Sequence, residues 1–435
     1  MRHGSGVIVN DKAKHVSVLI LTAAVILSYI DRSALFLLIG EVERDIPMSL
    51  VQQSWLLGGG FAIAYGVAAF PAGVLLDRFS RRHILFWAVA GWSLFTLLSG
   101  FCDDYVSLLI CRAGVGVGEA MLAPGAYSLI RSYYDGRARV RAFSTFSIGN
   151  AVGGGIALLV TGALLQFPVS LPGLSSGDAS WRTALILIGL AGLVFSFLLL
   201  ALHEPVHSDA ATIVAQPIWP HLREHLGLYA IAYAAQAAMG ASLFGFMAWA
   251  PSFLISSYNW SASHVGETFG QLQLVASLAG LAMGTLVLQA LAARKAISAV
   301  AVFGAILACS SGCAMLGFSL VGTDTTIWAF LALMLFCFPG VALVNALALA
   351  HITPVGLMAR MSSISFILAS SIGASIGPAL ITLFGQGASE TGGKPDLGQG
   401  IAIGSAVPML VAALLWAAYA LLVRRQNAQS PLEMS

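Results

Sequence analysis

Long apolar runs recur along the whole of this 435-residue chain, separated by short polar stretches. A bilayer core about 30 Å thick is crossed by roughly 20 apolar residues at about 1.5 Å rise each. That ruler predicts helices over 16–40, 52–76, 83–102, 105–130, 142–166, 181–202, 226–256, 263–292, 296–319, 325–350, 361–384 and 399–423. Of all residues 58% are hydrophobic and only 9% charged, against about 25% charged in soluble domains. No soluble fold keeps such a surface dissolved. The expected class is therefore all-α integral membrane, with twelve transmembrane helices. The first run is too long for the apolar region of a signal peptide and no small-residue cleavage pattern follows it, so it is expected to stay in the mature chain.

The basic residues set an orientation, because lysine and arginine concentrate in cytoplasmic loops. Sixteen fall on one side of the predicted spans: Arg2, Lys12, Lys14, Arg78, Arg81, Arg82, Arg131, Arg137, Arg139, Arg141, Arg223, Arg294, Lys295, Arg360, Arg424 and Arg425. Three fall on the other: Arg44, Arg182 and Lys394. This asymmetry predicts cytoplasmic termini, in a bacterial inner membrane, and agrees with an even number of spans. The longest polar interruption on the cytoplasmic side, 203–225, divides the spans six and six. It predicts an N-terminal six-helix bundle (1–202), a cytoplasmic linker (203–225), and a C-terminal six-helix bundle with a short tail (226–435). Two pseudo-symmetric halves of inverted repeats are an architecture that secondary transporters use for alternating access.

Four ionisable residues lie inside predicted spans: Asp31 and Arg32 in the first, Arg112 and Glu119 in the fourth. Each costs about 2.5–3.5 kcal/mol near a bilayer centre, so such residues usually face a cavity or one another. Arg112 and Glu119 are seven apart and share a helix face, about 10 Å apart along the axis. Counted from the outer ends of their spans, Asp31 and Arg112 sit at depths that agree within roughly 3 Å. Arg112 is thus expected to meet Asp31, with Glu119 deeper on the same face and able to hold Arg112 while Asp31 is protonated. One reading is a proton-coupling site with Asp31 as principal carrier; a second is a permanently ionised cluster that locks the two helices together, and a third is a conduction pathway with no coupling.

The stretch Gly73-Val74-Leu75-Leu76-Asp77-Arg78-Phe79-Ser80-Arg81-Arg82 places opposite charges at a helix seam. It is expected to act as a cytoplasmic gate through Gly73, Asp77, Arg78, Arg81 and Arg82. Tyr29, Gln236, Phe244, Trp249, Gln271 and Asn345 are candidate substrate contacts. Set against the four ionisable residues of the first half, Phe244, Phe246, Trp249 and Phe253 describe a wall half ionic and half apolar-aromatic, which suits an amphiphile. Clustered small residues, Gly153-Gly154-Gly155, Gly280 with Gly284, and Gly373 with Gly377, mark expected close helix approaches. The five cysteines fall in apolar runs without zinc spacing and read as packing residues. Neither metal nor other cofactor is expected. The net charge of +2 gives no reason to expect nucleic acid, and a monomer in the bilayer is the expected state. Gly373-Ala374-Ser375-Ile376-Gly377 fits G-x-S-x-G, but that elbow needs a strand before it, and here the run is one apolar helix. No P-loop is present. The chain is not expected to be an enzyme.

The stretch 73–82 resembles the signature loop of the major facilitator superfamily. Tyr29-Ile30-Asp31-Arg32, Trp92-Ser93-Leu94-Phe95-Thr96, Arg112 to Ala120, His203-Glu204-Pro205 and Ile372 to Pro378 are similar to its Spinster-like branch. Ser28 departs from the asparagine usual there. The resemblance implies the major facilitator fold and a proton-coupled carrier working by alternating access. Asp31 and Glu119 would be its titrating groups, Arg32 and Arg112 their partners, and an amphiphilic, lysophospholipid-like solute its cargo. The organic anion:proton symporter branch shares the aspartate–arginine pair, and there Arg32 or Arg112 would bind the carboxylate of a sugar acid. An uncoupled lipid scramblase or channel is a third reading.

Overall fold

The computed structural model describes residues 11–166, 180–204, 218–294, 296–320, 324–354, 357–387 and 396–429, and among these it contains no strand. The long helices are α1 (Asp11–Asp45), α2 (Leu50–Leu76), α3 (Arg81–Ser99), α4 (Tyr105–Tyr133), α5 (Gly136–Gln166), α6 (Trp181–Ala201), α7 (Leu226–Tyr258), α8 (Ala262–Ala293), α9 (Ile297–Ser319), α10 (Thr325–Ile352), α11 (Arg360–Gln386) and α12 (Leu397–Gln426). All but α3 make eleven helices long and apolar enough to cross a bilayer by length and composition. α3 begins on Arg81, Arg82 and His83, so its apolar run is confined to 84–99, about 24 Å at 1.5 Å per residue.

Several helices outrun their apolar runs. α1 continues through Glu41 and Arg44 to Asp45, and α5 starts at Gly136 ahead of three arginines. A hydropathy ruler registers the apolar part, whereas the hydrogen-bond ladder carries on into charged turns. α3 ends at Ser99 rather than near 102. Asp104 then caps α4, its Oδ1 accepting from the Val106 and Ser107 amides at 2.9 Å each. These bonds hold its carboxyl below the usual aspartate range. Of the expected linker, 205–217 lies outside the described residues; its end forms a short helix, Ile218–Glu224.

Packing divides the chain into two compact units. One comprises Met1–Thr212 with Leu254–Leu274, the other Ile213–Phe253 with Val275–Ser435. In the first, α1 packs on α5, α3 on α6, and α4 on both α2 and α3. The first half of α8 joins this unit because nothing but glycine separates it from α5: a Cβ on Gly162 would lie 3.0 Å from the Gly266 Cα. In the second unit α9 packs on α10 and α12. α7 meets α11 backbone to backbone, where Gly240 faces Ala369 and Gly377 faces Ala241. The expected close approaches at Gly155, Gly280 and Gly377 are all of this kind. Wide, i→i+5 turns interrupt α2 at Trp55–Gly59, α11 at Leu368–Ile372 and α12 at Ala402–Ala406.

Candidate transport site in the first unit

Four helices of the first unit deliver the site. α4 is placed by glycines: Gly116 lies against the Phe61 carbonyl of α2, and a Cβ on Gly118 would sit 2.8 Å from the Trp92 Cβ of α3. Any larger residue would push α4 away from one neighbour. Seated between them, α4 brings Arg112 and Glu119 onto α1 at Asp31 and Arg32. Three of the four ionisable groups are then removed from the surface, Asp31 completely, Arg112 and Glu119 to 3% and 2% exposure, while the Arg32 side chain keeps 18%.

The pairing differs from the expected one. Glu119 does not hold Arg112: its Oε2 accepts from Arg32 Nη2 at 2.5 Å. Arg112 makes no ion pair with Asp31. It donates instead to main-chain carbonyls of α1, Nη1 to Asp31 O at 3.2 Å and Nη2 to Arg32 O at 3.4 Å. The levels of Asp31 and Arg112 do match, but the carbonyl edge of α1, not the Asp31 carboxylate, faces the guanidinium. Asp31 turns toward α3, where its Oδ2 accepts from Trp92 Nε1 at 3.0 Å. Its Oδ1 is buried and lacks a well-formed hydrogen bond among the described residues, with the Thr96 hydroxyl close enough to interact with the carboxylate. Glu119 Oε1 and the Nε atoms of Arg32 and Arg112 are likewise buried and unpartnered among the described residues.

Aromatic rings complete the lining. The Arg32 guanidinium lies 4.6 Å from the Phe61 ring centre, 5.8 Å from Tyr29 and 6.0 Å from Tyr65, and Arg112 lies 5.8 Å from Phe61. A guanidinium over ring faces is stabilised by their quadrupoles, more so away from water. Sequence reasoning did not assign Phe61, Tyr65, Trp92 or Thr96 to the site. The aromatic spacing of 61 and 65, one helical turn, is the signal that was available.

The other candidates are distributed as follows. Gly73 faces open space and Arg78 is exposed; the Asp77 side chain lies outside the described residues. Arg81 donates through Nη1 to Ser132 Oγ at 2.7 Å, and its amide donates to Glu204 Oε1 at 2.6 Å. The Ser80 hydroxyl donates to the other Glu204 oxygen. Ser80 makes no cap with its own side chain, so the carboxylate of Glu204, from beyond α6, closes the start of α3. Arg82 is half-buried. In the second unit Asn345 donates to Ser365 Oγ at 2.9 Å, and Gln236 Oε1 is buried without a partner. Phe244 is half-buried. Trp249 is packed away, its Nε1 donating to Pro378 O at 3.2 Å, and Phe246 and Phe253 both stack on Phe318. Gln271 is exposed, in the part of α8 that belongs to the first unit.

Residues 21–378 match the Major Facilitator Superfamily. The chain belongs to that superfamily. Its superfamily is one of multi-pass membrane transporters, and its G-x-S-x-G run lies inside the helix Gly373–Gly387. Among its superfamily relatives, the hexuronate transporter of Bacillus subtilis (strain 168) is 26% identical over 61% of this chain and 62% of its own length. Protein spinster of Drosophila melanogaster is 26% identical over 70% of this chain and 51% of its own. A bacterial homologue of the human lysosomal transporter Spinster, solved inward-facing and unoccupied, superposes with a TM-score of 0.79 at 20% identity, covering 98% of this chain and all of that one. The chain spans 36 to 62% of the length of the first curated relatives it matches. The Spinster-like resemblance of the sequence motifs thus recurs in both comparisons.

Proposed function

We propose that this superfamily member is a proton-coupled secondary active transporter of an organic solute, with Asp31 as the principal proton carrier. The observation that carries the reading is the division of labour among the four buried charges. Glu119 already has a cation, Arg32, whereas among the described residues Asp31 has no ion pair and one oxygen without a well-formed hydrogen bond. A carboxylate so placed has a site where a proton can be taken up without breaking an existing ion pair. Arg112 supports it as a fixed positive charge anchored on carbonyls, and Glu119 with Arg32 as a second carrier or a lock.

The charge balance favours an organic anion, such as a sugar acid, as the solute. Two arginines and two carboxylates sum to zero when ionised, and a proton on Asp31 leaves one positive charge uncompensated. A carboxylate solute restores neutrality, so proton and anion would bind together. The named activities of relatives such as the hexuronate transporter of Bacillus subtilis support this reading. A second reading, an amphiphilic or lipid-like solute, is favoured by the likeness to spinster over most of the chain. The packed positions of Trp249, Phe246 and Phe253 give it less support than the sequence did. Cytoplasmic termini, a gate at 73–82, a bacterial inner membrane location, a monomeric state and a division near 203–225 belong to the same proposal.

The test is uptake into proteoliposomes with an imposed pH gradient, run with hexuronates and aldonates in one series and lysolipids in another. The wild type should concentrate one class in response to the gradient. Asp31→Asn should bind that solute yet equilibrate it without concentrating it. Gradient-driven accumulation by Asp31→Asn would overturn the assignment of the carrier.

A further inference from the structure

The short helix Ile218–Glu224 and the turn residue His225 that joins it to α7 carry side chains that the transport chemistry does not use. His221, Glu224 and His225 each offer one ligand atom, and these atoms all lie within 4.8 Å of one another. The spacing i, i+3, i+4 puts them on one helical face. Spacing alone does not orient the rings; the tertiary structure does. His221 Nε2 lies 2.8 Å from the Ile352 carbonyl, at the end of α10, and 3.1 Å from the Tyr229 hydroxyl. A carbonyl only accepts, so Nε2 carries the proton and the neutral ring keeps its lone pair on Nδ1. One ring nitrogen donating to a backbone carbonyl while the other is free for a cation is the arrangement that fixes metal-binding histidines elsewhere. The His225 ring stands beside it, 4.8 Å between centres and 70° inclined, and Glu224 adds an exposed carboxylate.

We propose that His221, through Nδ1, together with His225 and Glu224 binds one divalent transition-metal ion of the zinc class, with a water in the fourth position. Two imidazoles and one carboxylate suit zinc, and also nickel or copper; magnesium and calcium take oxygen ligands. Metal–ligand bonds of about 2.0–2.1 Å in a tetrahedron need ligand atoms roughly 3.3 Å apart, so the side chains must rotate to close on the ion. The exposed Glu224 and half-buried His225 have the freedom to do so, while His221 is held. His351, next to Ile352 on α10, is close enough to His225 to interact electrostatically and adds to the donor-rich surroundings. Binding would tie the short helix to the turn that leads into α7 through His225, and to α10 through the His221–Ile352 bond. The function is then a metal-dependent stiffening of this junction, separate from the transport site.

The experiment uses the full chain in detergent, purified without a polyhistidine tag, and titrates Zn2+ against a chromophoric chelator. One equivalent should bind saturably, and Co2+ in its place should give the visible absorption of a tetrahedral site. His225→Ala and Glu224→Gln should each weaken Zn2+ by about tenfold or more, and His264→Ala should leave it unchanged. Glu224 is exposed, so its variant folds independently of the outcome at the histidines. Absence of a saturable equivalent, or an affinity indifferent to both Glu224→Gln and His225→Ala, would overturn the proposal.

Discussion

Arg32 and Glu119 form an ion pair whose acid is 1% exposed and whose base is 18% exposed at the side chain. Taking two charges out of water costs several kcal/mol each, and their attraction offsets this only while both are present. Glu119→Gln should therefore strip Arg32 of its counter-charge and destabilise the protein by about 3–5 kcal/mol, read as a large fall in detergent melting temperature. The double variant Arg32→Met/Glu119→Leu removes both charges and should recover much of that loss. Equal melting temperatures for the single and double variants would show that the pair is not coupled. Asp31 is a different case: with neutral donors, Trp92 and the neighbouring Thr96 hydroxyl, and no ion pair among the described residues, Asp31→Asn should fold nearly as well as wild type. That contrast separates a carrier from a lock.

At helix ends the same chemistry acts on stability. The first amides of α3 have no intrahelical partner, and Ser80 does not supply one. Glu204 does, with a charged acceptor near the positive end of the helix dipole. Glu204→Ala should cost about 1–2 kcal/mol and raise hydrogen exchange at the Arg81 amide, while exchange at the Asp104-capped start of α4 stays put. Loss of stability without a change at Arg81 would mean that Glu204 acts elsewhere. Asp104 itself, held low by the Ser107 and Val106 amides, caps α4 at full strength above about pH 4 and loses the cap as pH falls further.

For the molecule as a whole, the proposed topology with cytoplasmic termini makes the loop after α3 external and the loop after α4 cytoplasmic. Asp103 and Asp135 mark them, with side chains 88% and 97% exposed. On a background with the five native cysteines replaced, Asp103→Cys should react with an impermeant maleimide in intact cells. Asp135→Cys should react only after permeabilisation. The reverse pattern would invert the proposed topology.

Composition and spacing alone were enough for the class, the number of long helices and the four buried charges, because burying backbone in a bilayer leaves few solutions and an ionisable residue in an apolar run stands out. They also placed Asp31 level with Arg112, since helical rise is fixed. They could not decide who pairs with whom. That depends on how α4 is rotated and seated, which Gly116 and Gly118 set by contacts to residues about 25 to 55 positions away. The same holds for Trp92 beside Asp31, Glu204 at the start of α3, and the ring orientation of His221. Each is a bond between residues far apart in the chain, 61 positions in the case of Trp92 and 123 for the Arg81 amide. Local sequence carries no term for such contacts; tertiary packing alone decides them.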